Sequence, residues 1–322
     1  MWQNSKEEPR KLPGLAATLS SGFEFTTHHL WLIVIPIFLD AFYWLGPRLS
    51  VQSLVENNIA GLPREPSLEE ATSQVIELVS KINLFTSLSV PLIGVPALMN
   101  GAVPEVTPLN PSTMQVKNPF LWLILFIELS LLGLLLATFY LSLIGWTMNG
   151  EPKFQRRTIG LFTISVGITS LRLLGLGVVF LFGLLVLLFP LLPLALILSL
   201  LGTNLFVAVI AAGILLLATY LSLAVPAIVL NGSRVLPAVV GSLRVVHHNL
   251  QPTIALLFVI FVTGAGMNYL WHLADDGSWL TAVSIAGHAF VSTSFVAAIF
   301  IYYRDRTASR DKHIEDVEIS RN

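Results

Sequence analysis

Long apolar runs alternate with short polar segments along most of this chain, and several of the runs are long enough to cross a bilayer. A transmembrane helix needs about 20 mostly apolar residues. No charged side chain lies between Arg172 and Arg234, so this interval must hold more than one span. The pattern predicts an all-α fold, a polytopic transmembrane helical bundle of about six spans, with cytoplasmic interfacial amphipathic helices and an extracytoplasmic helical insert.

The runs divide the chain into five predicted parts. The insert has ordinary polarity, and its segment Ser67-Leu-Glu-Glu70 has the form of a helix capping box. Pro190 and Pro193 should end the third span. The parts are a cytoplasmic N-terminal tail and interfacial helix at 1–29, a first span at 30–47, the insert at 48–118 with an amphipathic helix at 67–90, a five-span bundle at 119–303 with interfacial helices near 154–171 and 233–249, and a cytoplasmic tail at 304–322 that we expect to be disordered or weakly helical.

The segment from Pro226 to Pro252 joins two of the predicted spans and cannot itself cross the membrane. Apolar residues recur there at helical spacing, whereas Arg234 and Arg244 fall on the opposite side. We therefore expect a helix that lies flat, with its apolar side toward lipid tails and its basic side toward water and headgroups. The apolar stripe consists of Val235, Leu236, Val239, Val240, Leu243, Val246 and Leu250.

The distribution of basic residues gives the orientation. With six spans, most of the 18 Lys and Arg residues fall on one side, in the two termini and in the loops near residues 153–157 and 234–244. Cytoplasmic loops carry an excess of Lys and Arg in membrane proteins. The chain is therefore predicted to be a multi-pass membrane protein with both termini in the cytoplasm.

The composition narrows the function classes. Of the 322 residues, 54% are hydrophobic and 11% are charged, against roughly 25% charged residues in soluble domains. The formal net charge is −1, which does not suggest a nucleic-acid partner. Cysteine is absent, which excludes disulfides, thiolate metal sites and cysteine nucleophiles. The lipid bilayer is the partner that the composition implies, and a membrane-protein partner is a further candidate.

An internal repeat is suggested by matching segments that precede polar turns. The simplest account is a unit of span, cytoplasmic interfacial helix and span, used about three times, with its first copy split between the two chain ends. The matches are residues 136–143 before Asn149-Gly150, residues 217–223 before Asn231-Gly232, and residues 22–29 against residues 241–248, both of which end in a His pair.

One of these segments resembles a known family. Pro226-Ala-Ile-Val-Leu, the Gly232 turn and Ser242-Leu-Arg-Val-Val-His-His-Asn are similar to the membrane domain attached to some bacterial glycerophosphodiester phosphodiesterases and to its stand-alone YciC-like relatives. The resemblance implies six spans and no established activity for the stand-alone members. This chain carries a long insert and no soluble catalytic domain, so phosphodiesterase activity is not expected.

Three ionisable residues lie within the predicted spans: Asp40, Glu128 and His288. At 1.5 Å per residue, each lies roughly 10 to 15 Å below the outer surface. A charge at that depth costs about 2.5 kcal/mol or more, so such residues usually face protein or water. We predict a candidate polar cluster that serves as a proton relay or cation site. The alternative is that the two carboxyls are neutral or reach the surface and that His288 makes one interhelical hydrogen bond.

Two other groups of residues are weighed as sites. Adjacent residues on a helix point about 100° apart, so the His pairs at 28–29 and 247–248 favour polar anchoring over metal binding, and neither a metal nor a cofactor is predicted. Four arginines are candidate contacts for lipid headgroups or a partner, although ordinary positive-inside anchoring also explains them. They are Arg156, Arg157, Arg234 and Arg244.

The sequence contains none of the common catalytic motifs, including HExxH, Walker A and GxSxG. The leading hypothesis is therefore a non-enzymatic, six-span protein of the bacterial inner membrane that acts as a scaffold, assembly or envelope accessory component. The alternative is a transporter or permease subunit that uses Asp40, Glu128 and His288. A lipid-processing enzyme is the third hypothesis.

Overall fold

The computed structural model describes residues 12–59, 76, 79, 82–89, 94–100, 107–109, 111–150, 156–200, 205–271, 273 and 277–321. Within these ranges the fold is the predicted all-α polytopic bundle. Its helices are α1 (Leu15–His28), α2 (Val34–Leu45), α3 (Gln52–Ile59), α4 (Pro119–Met148), α5 (Arg156–Leu200), α6 (Leu205–Leu221), α7 (Ala224–Asn231), α8 (Val235–His248), α9 (Leu250–Trp271) and α10 (Thr281–Arg321).

Five stretches of the described helices are long and apolar enough to cross a membrane: 119–148, 160–191, 207–231, 250–271 and 281–309. A sixth is counted if the bent pair of helices near the N-terminus is one span. The chain is thus a multi-pass membrane protein. The remaining question about the span count lies at the N-terminus.

The first predicted span, 30–47, is not a straight helix. A 3-10 turn, Leu30–Ile33, leads into α2, and the two lie at 90° to α1. The 12 residues of α2 extend about 18 Å, short of the roughly 30 Å hydrocarbon core. A crossing in this region therefore needs α1 and α2 together.

Helix α1 packs along α10, and this is the most extensive contact between two elements in the described part of the chain. Its buried positions are Thr18, Gly22 and Thr26, four residues apart. Small residues at this spacing let two helix backbones approach closely in a membrane. The prediction of an interfacial helix before residue 29 is therefore incomplete, because α1 is a packed element of the bundle.

The predicted interfacial helix at 154–171 is wrong as a separate element. The described part of it, from Arg156, continues without interruption into the third span as the 45-residue helix α5. Pro190 and Pro193 lie inside α5 and do not end it. Neighbouring helices and local adjustments satisfy freed backbone groups in membrane helices, which therefore tolerate proline.

The fourth span is broken between α6 and α7. Pro226 has no N–H to donate to the carbonyl of Ser222, four residues earlier, and the helix is interrupted at Ser222 and Leu223. The Ser222 hydroxyl donates to the carbonyl of Thr219 at 2.7 Å. Proline chemistry thus accounts for the break.

The amphipathic helix near 233–249 is present as α8, but its predicted face is partly wrong. Val239 and Val246 of the predicted stripe are buried, together with Ala238, Ser242 and Val245, which lay outside it. Leu236, Val240 and Leu243 are exposed. The buried face packs against α6 and α7, so neighbouring helices cover much of a surface that was expected to meet lipid.

The insert is held by a small framework outside the spans. Strand β1 (Arg48–Ser50) pairs in parallel with β2 (Thr113–Gln115). The side-chain oxygen of Asn83 accepts from the amides of Leu49 and Phe85. Most of the predicted helix at 67–90 lies outside the described residues, and its C-terminal part is a 3-10 helix, Leu84–Leu88, capped by Asn83.

The C-terminal tail differs from the expectation of disorder or weak helicity. Helix α10 continues beyond its candidate span, which ends at Ser309, to Arg321. Near the end of that span, Arg306 stacks on the Tyr302 ring at 4.9 Å and donates to Asn249 at 3.3 Å. These contacts fix the last turns of the span, which favours continuation of the helix.

The internal repeat has a geometric counterpart in α1 and α8. Both helices have 14 residues, and their N-cap residues, Gly14 and Arg234, share φ −69° with ψ 165° and 159°. The buried positions Thr18, Gly22 and Thr26 correspond to Ala238, Ser242 and Val246, a register one residue away from the match of sequence letters. Gly150 and Gly232, which follow the two repeated Asn residues, both have positive φ, 66° and 58°.

Candidate functional site: the buried Asp40 and His288 pair

Asp40 and His288 are brought together where α2 meets α10. Asp40 is fully buried, and the His288 side chain is 17% exposed. Asp40 lies on the buried side of α2 with Leu39, Tyr43 and Trp44. The packing of α2 against α10 thus carries two of the three predicted cluster residues to one place.

The two oxygens of Asp40 have different surroundings. Oδ1 accepts a hydrogen bond from the backbone N–H of Met99 at 2.8 Å. Oδ2 lies 3.8 Å from His288 Nδ1, which is beyond hydrogen-bond distance. Neither Oδ2 nor Nδ1 has a hydrogen-bond partner among the described residues. Such buried unpartnered atoms are rare in folded proteins and often mark a functional or solvent-bridged position.

Aromatic side chains surround this pair. Trp44, one helical turn from Asp40, meets the Trp279 ring edge to face at 5.6 Å. Tyr43 shares a hydrogen bond with Ser89 of the insert at 3.0 Å. A Cβ added at Gly287 would collide with the Trp271 indole. Large rings on the flanks restrict access of water to the carboxyl and imidazole.

Met99 ties this site to the insert. It lies in a short 3-10 turn, Leu98–Asn100, whose Leu98 and Met99 side chains belong to the same buried cluster as Leu39 and Trp44. Sequence reasoning missed this contact, because a backbone N–H has no signal in the amino-acid letters.

Glu128 does not join the pair. It is exposed on α4, and none of the contacts in the described part of the structure ties it to Asp40 or His288. Phe126 and Ile127 beside it are also exposed, as expected for the lipid-facing side of a span. The three residues were selected by their depth along the predicted spans, and depth does not fix the direction in which a side chain points.

The candidate arginines are partly described. Arg234 and Arg244 are exposed on α8, whereas the side chains of Arg156 and Arg157 lie outside the described part. The histidine pairs are satisfied locally: His28 Nδ1 lies 2.8 Å from the carbonyl oxygen of Glu24, and His248 Nδ1 lies at the same distance from that of Arg244. These bonds to each helix's own backbone agree with polar anchoring.

Arg172 is a candidate that sequence reasoning missed. Its guanidinium donates to the carbonyl of Gly232 at 2.6 Å, and it lines a cleft of about 550 Å³ between α4, α5 and α7. Asn149 lines the same cleft and donates to the carbonyl of Leu230 at 3.4 Å. Both polar side chains donate hydrogen bonds to carbonyl groups near the end of α7. The cleft therefore lies beside the Asn231-Gly232 turn of the repeat.

Comparisons with protein-family models, with curated proteins and with solved structures find no match to this chain. The fold and the buried pair must therefore be interpreted from their own chemistry. The likeness to YciC-like proteins remains a prediction from sequence.

Proposed function

We propose that this multi-pass membrane protein is a non-enzymatic scaffold, assembly or envelope accessory component of the bacterial inner membrane. In this proposal both termini are cytoplasmic, and residues 48–118 lie on the extracytoplasmic side of the membrane. The observation that carries it is the hydrogen bond from the Met99 N–H to the fully buried Asp40. A charged or polar group inside a membrane bundle is costly, and here it is used to hold the insert.

Further contacts support a fixed insert. Tyr43 and Ser89 form a second buried hydrogen bond between α2 and the insert. A Cβ at Gly133 would collide with the main chain of Leu88, so the insert backbone lies directly on α4. An insert attached to both α2 and α4 keeps one orientation over the bundle, as a binding platform requires.

The insert also presents apolar side chains outward. Leu109 is 59% exposed and Met114 is 49% exposed, and Met114 lies in strand β2, whose three residues are all exposed. The buried core of a protein interface is more apolar than the rest of the protein surface, and Met is enriched there. We assign this pair to the partner-facing surface of the insert.

The expected result is loss of a co-purifying partner when this surface is made polar. The tagged full-length chain should retain a stoichiometric protein partner in mild detergent, and Leu109→Ser with Met114→Ser should remove it. Thr113→Ala, which changes an exposed residue of the same strand, should leave the partner bound. Quantitative mass spectrometry of the purified complex measures this ratio. A solitary monodisperse chain in all three preparations would refute the scaffold proposal.

A second candidate function, proton-coupled transport, is favoured by the unpartnered facing atoms of Asp40 and His288. A carboxyl and an imidazole 3.8 Å apart exchange a proton through one intervening water or a small displacement. Glu128 has no part in this version, because it is exposed to lipid. The residue set of the transporter hypothesis is therefore reduced to two.

The transport candidate predicts loss of flux when either ionisable group is removed. Asp40→Asn and His288→Ala should each abolish proton uptake by proteoliposomes, because the relay needs both groups, while Glu128→Gln should leave uptake unchanged. A pH-sensitive dye inside the vesicles provides the measurement. If wild type and both variants show the same flux as empty vesicles, the transport candidate should be abandoned.

A further inference from the structure

A large cavity opens between the spans, separate from the Asp40 and His288 pair. Its volume is about 910 Å³, and its walls come from α4, α5, α6, α7, α9 and α10. Along α9 the lining extends from Ile254 to Phe261, and along α6 and α7 from Leu215 to Val225. These stretches correspond to about 10 and 15 Å of helix. We call this space the interhelical cavity, and it is elongated along the spans.

The lining of the interhelical cavity is almost entirely hydrocarbon. None of the described residues that line it is charged, and three carry hydroxyls: Ser130, Thr219 and Ser222. The Thr219 hydroxyl donates to the carbonyl of Leu215 at 2.8 Å, and that of Ser222 to the carbonyl of Thr219 at 2.7 Å. Because these hydroxyl groups already donate to backbone carbonyls of their own helix, they are not available as donors to a polar ligand. The complementary occupant is an uncharged aliphatic chain.

The cavity is accessible from the bilayer. Leu181 on α5 and Phe258 on α9 are 64% and 63% exposed, and both line the cavity. Apolar walls offer water no hydrogen-bond partners, and they forfeit dispersion contacts if the cavity stays empty. The acyl chains of the surrounding lipids are the available hydrocarbon, and an acyl chain that enters the cavity restores those contacts.

We propose that the interhelical cavity binds the acyl chain of a membrane lipid as a resident ligand. The site is distinct from the insert surface and from the buried pair, so it stands whether or not the scaffold proposal holds. The break between α6 and α7 at Ser222 forms part of the wall. A helix interrupted at membrane depth is tolerated where it is buried in protein or lines a cavity.

Gly177 provides a direct test, because it lines the cavity and a Cβ added there meets nothing within 4 Å. Gly177→Leu should therefore project into the cavity without a clash. Gly266 offers a matched control: it lies in α9, its added Cβ also meets open space, and it does not line the cavity. Both substitutions replace glycine by leucine within a membrane helix, so their effects on helix propensity cancel.

The experiment is photo-crosslinking of the full-length chain in phosphatidylcholine vesicles that contain a phospholipid with a diazirine in the middle of one acyl chain. Adducts on the α5 and α9 peptides that line the cavity are counted by mass spectrometry, relative to adducts on the exposed residues Val34 and Phe38 of α2, a helix that does not line the cavity. Gly177→Leu should lower this ratio at least about tenfold, the effect of a hydrophobic pocket that no longer fits its ligand. Gly266→Leu should leave it unchanged.

Two results would overturn the proposal. Equal labelling of the cavity peptides and the α2 reference in wild type would show ordinary annular lipid, and the absence of cavity adducts in a chain that is dimeric in mild detergent would show that a second copy covers the cavity. If Gly177→Leu does not fold by circular dichroism, Ala218→Phe, at a position that lines the cavity on α6, replaces it in the same assay. An unchanged ratio in a folded variant of either kind also refutes acyl-chain binding.

Discussion

Replacing Gly22 by alanine should destabilise the protein by about 1 to 3 kcal/mol, the usual cost of overpacking a close contact. A Cβ at this position would collide with the Ser294 carbonyl and lie 2.8 Å from the Ala298 Cβ. Both contacting atoms belong to α10, and the Ser294 oxygen is part of the backbone. The clash can therefore be removed only if α1 moves away from α10. Chemical unfolding in mild detergent, followed by circular dichroism, measures the change.

The matched control is Gly241→Ala in α8, the helix that corresponds to α1 in the repeat. A Cβ at Gly241 meets nothing within 4 Å, so this change should stabilise by roughly 0.5 to 1 kcal/mol through the lower entropy of the unfolded chain. The two substitutions are chemically identical and have opposite expected signs. Equal effects in both helices would show that α1 does not pack on α10 as described.

Asp40→Ala should release the insert from the bundle. The substitution leaves the buried Met99 N–H without its acceptor, which costs about 1 to 3 kcal/mol, and it opens a cavity beside His288. The loss is local, because Asp40 and Met99 link α2 to the insert. Hydrogen exchange at the Met99 amide should accelerate by about tenfold or more, and limited proteolysis within residues 82–118 should become faster.

Asp40→Asn separates the structural contact from the ionisable group. The Asn side-chain oxygen still accepts from the Met99 N–H, so exchange at Met99 should stay close to that of the wild type. The transport candidate predicts loss of proton uptake in the same variant. Fast exchange in both Asp40→Asn and Asp40→Ala would contradict the assignment of the Met99 hydrogen bond to Oδ1.

Span composition and helix type were predictable from the sequence, because lipid requires long apolar helices and the chain has 54% hydrophobic residues. The position of α8 was also predictable, from the polar turn before it and its helical periodicity. Its buried face was not, because a periodic stripe shows which side is apolar and cannot distinguish cover by lipid from cover by α6 and α7. For the same reason, the sequence predicted an interfacial helix at α1, which in the structure is covered by α10.

Close packing was predictable only in part. Both Gly175-Leu-Gly177 and Gly264-Ala-Gly266 place small residues inside apolar spans, where small residues allow helices to pack closely. A Cβ added at Gly175 would lie 3.0 Å from the Val235 side chain. A Cβ added at Gly177 or Gly266 would meet nothing within 4 Å. The sequence shows where a close approach is permitted, and the partner helix decides where it occurs.

The candidate site was half predictable. Asp40 and His288 were selected because ionisable residues are rare in spans, and the structure places them side by side. Glu128 met the same criterion and is exposed on α4, away from the pair. The Met99 amide and the interhelical cavity could not be predicted, since the first is main chain and the second is a space between helices that are far apart in sequence.

The pairing of α1 with α10 has a consequence for biosynthesis. About 270 residues separate Gly22 from Ser294, and a ribosome that adds about 5 to 20 residues per second needs roughly 15 to 55 s to reach the second from the first. Throughout that time α1 is outside the ribosome without its partner, with Thr18, Gly22 and Thr26 uncovered. Helix α1 is thus made long before its main partner, and an insertase or chaperone has that interval in which to hold it.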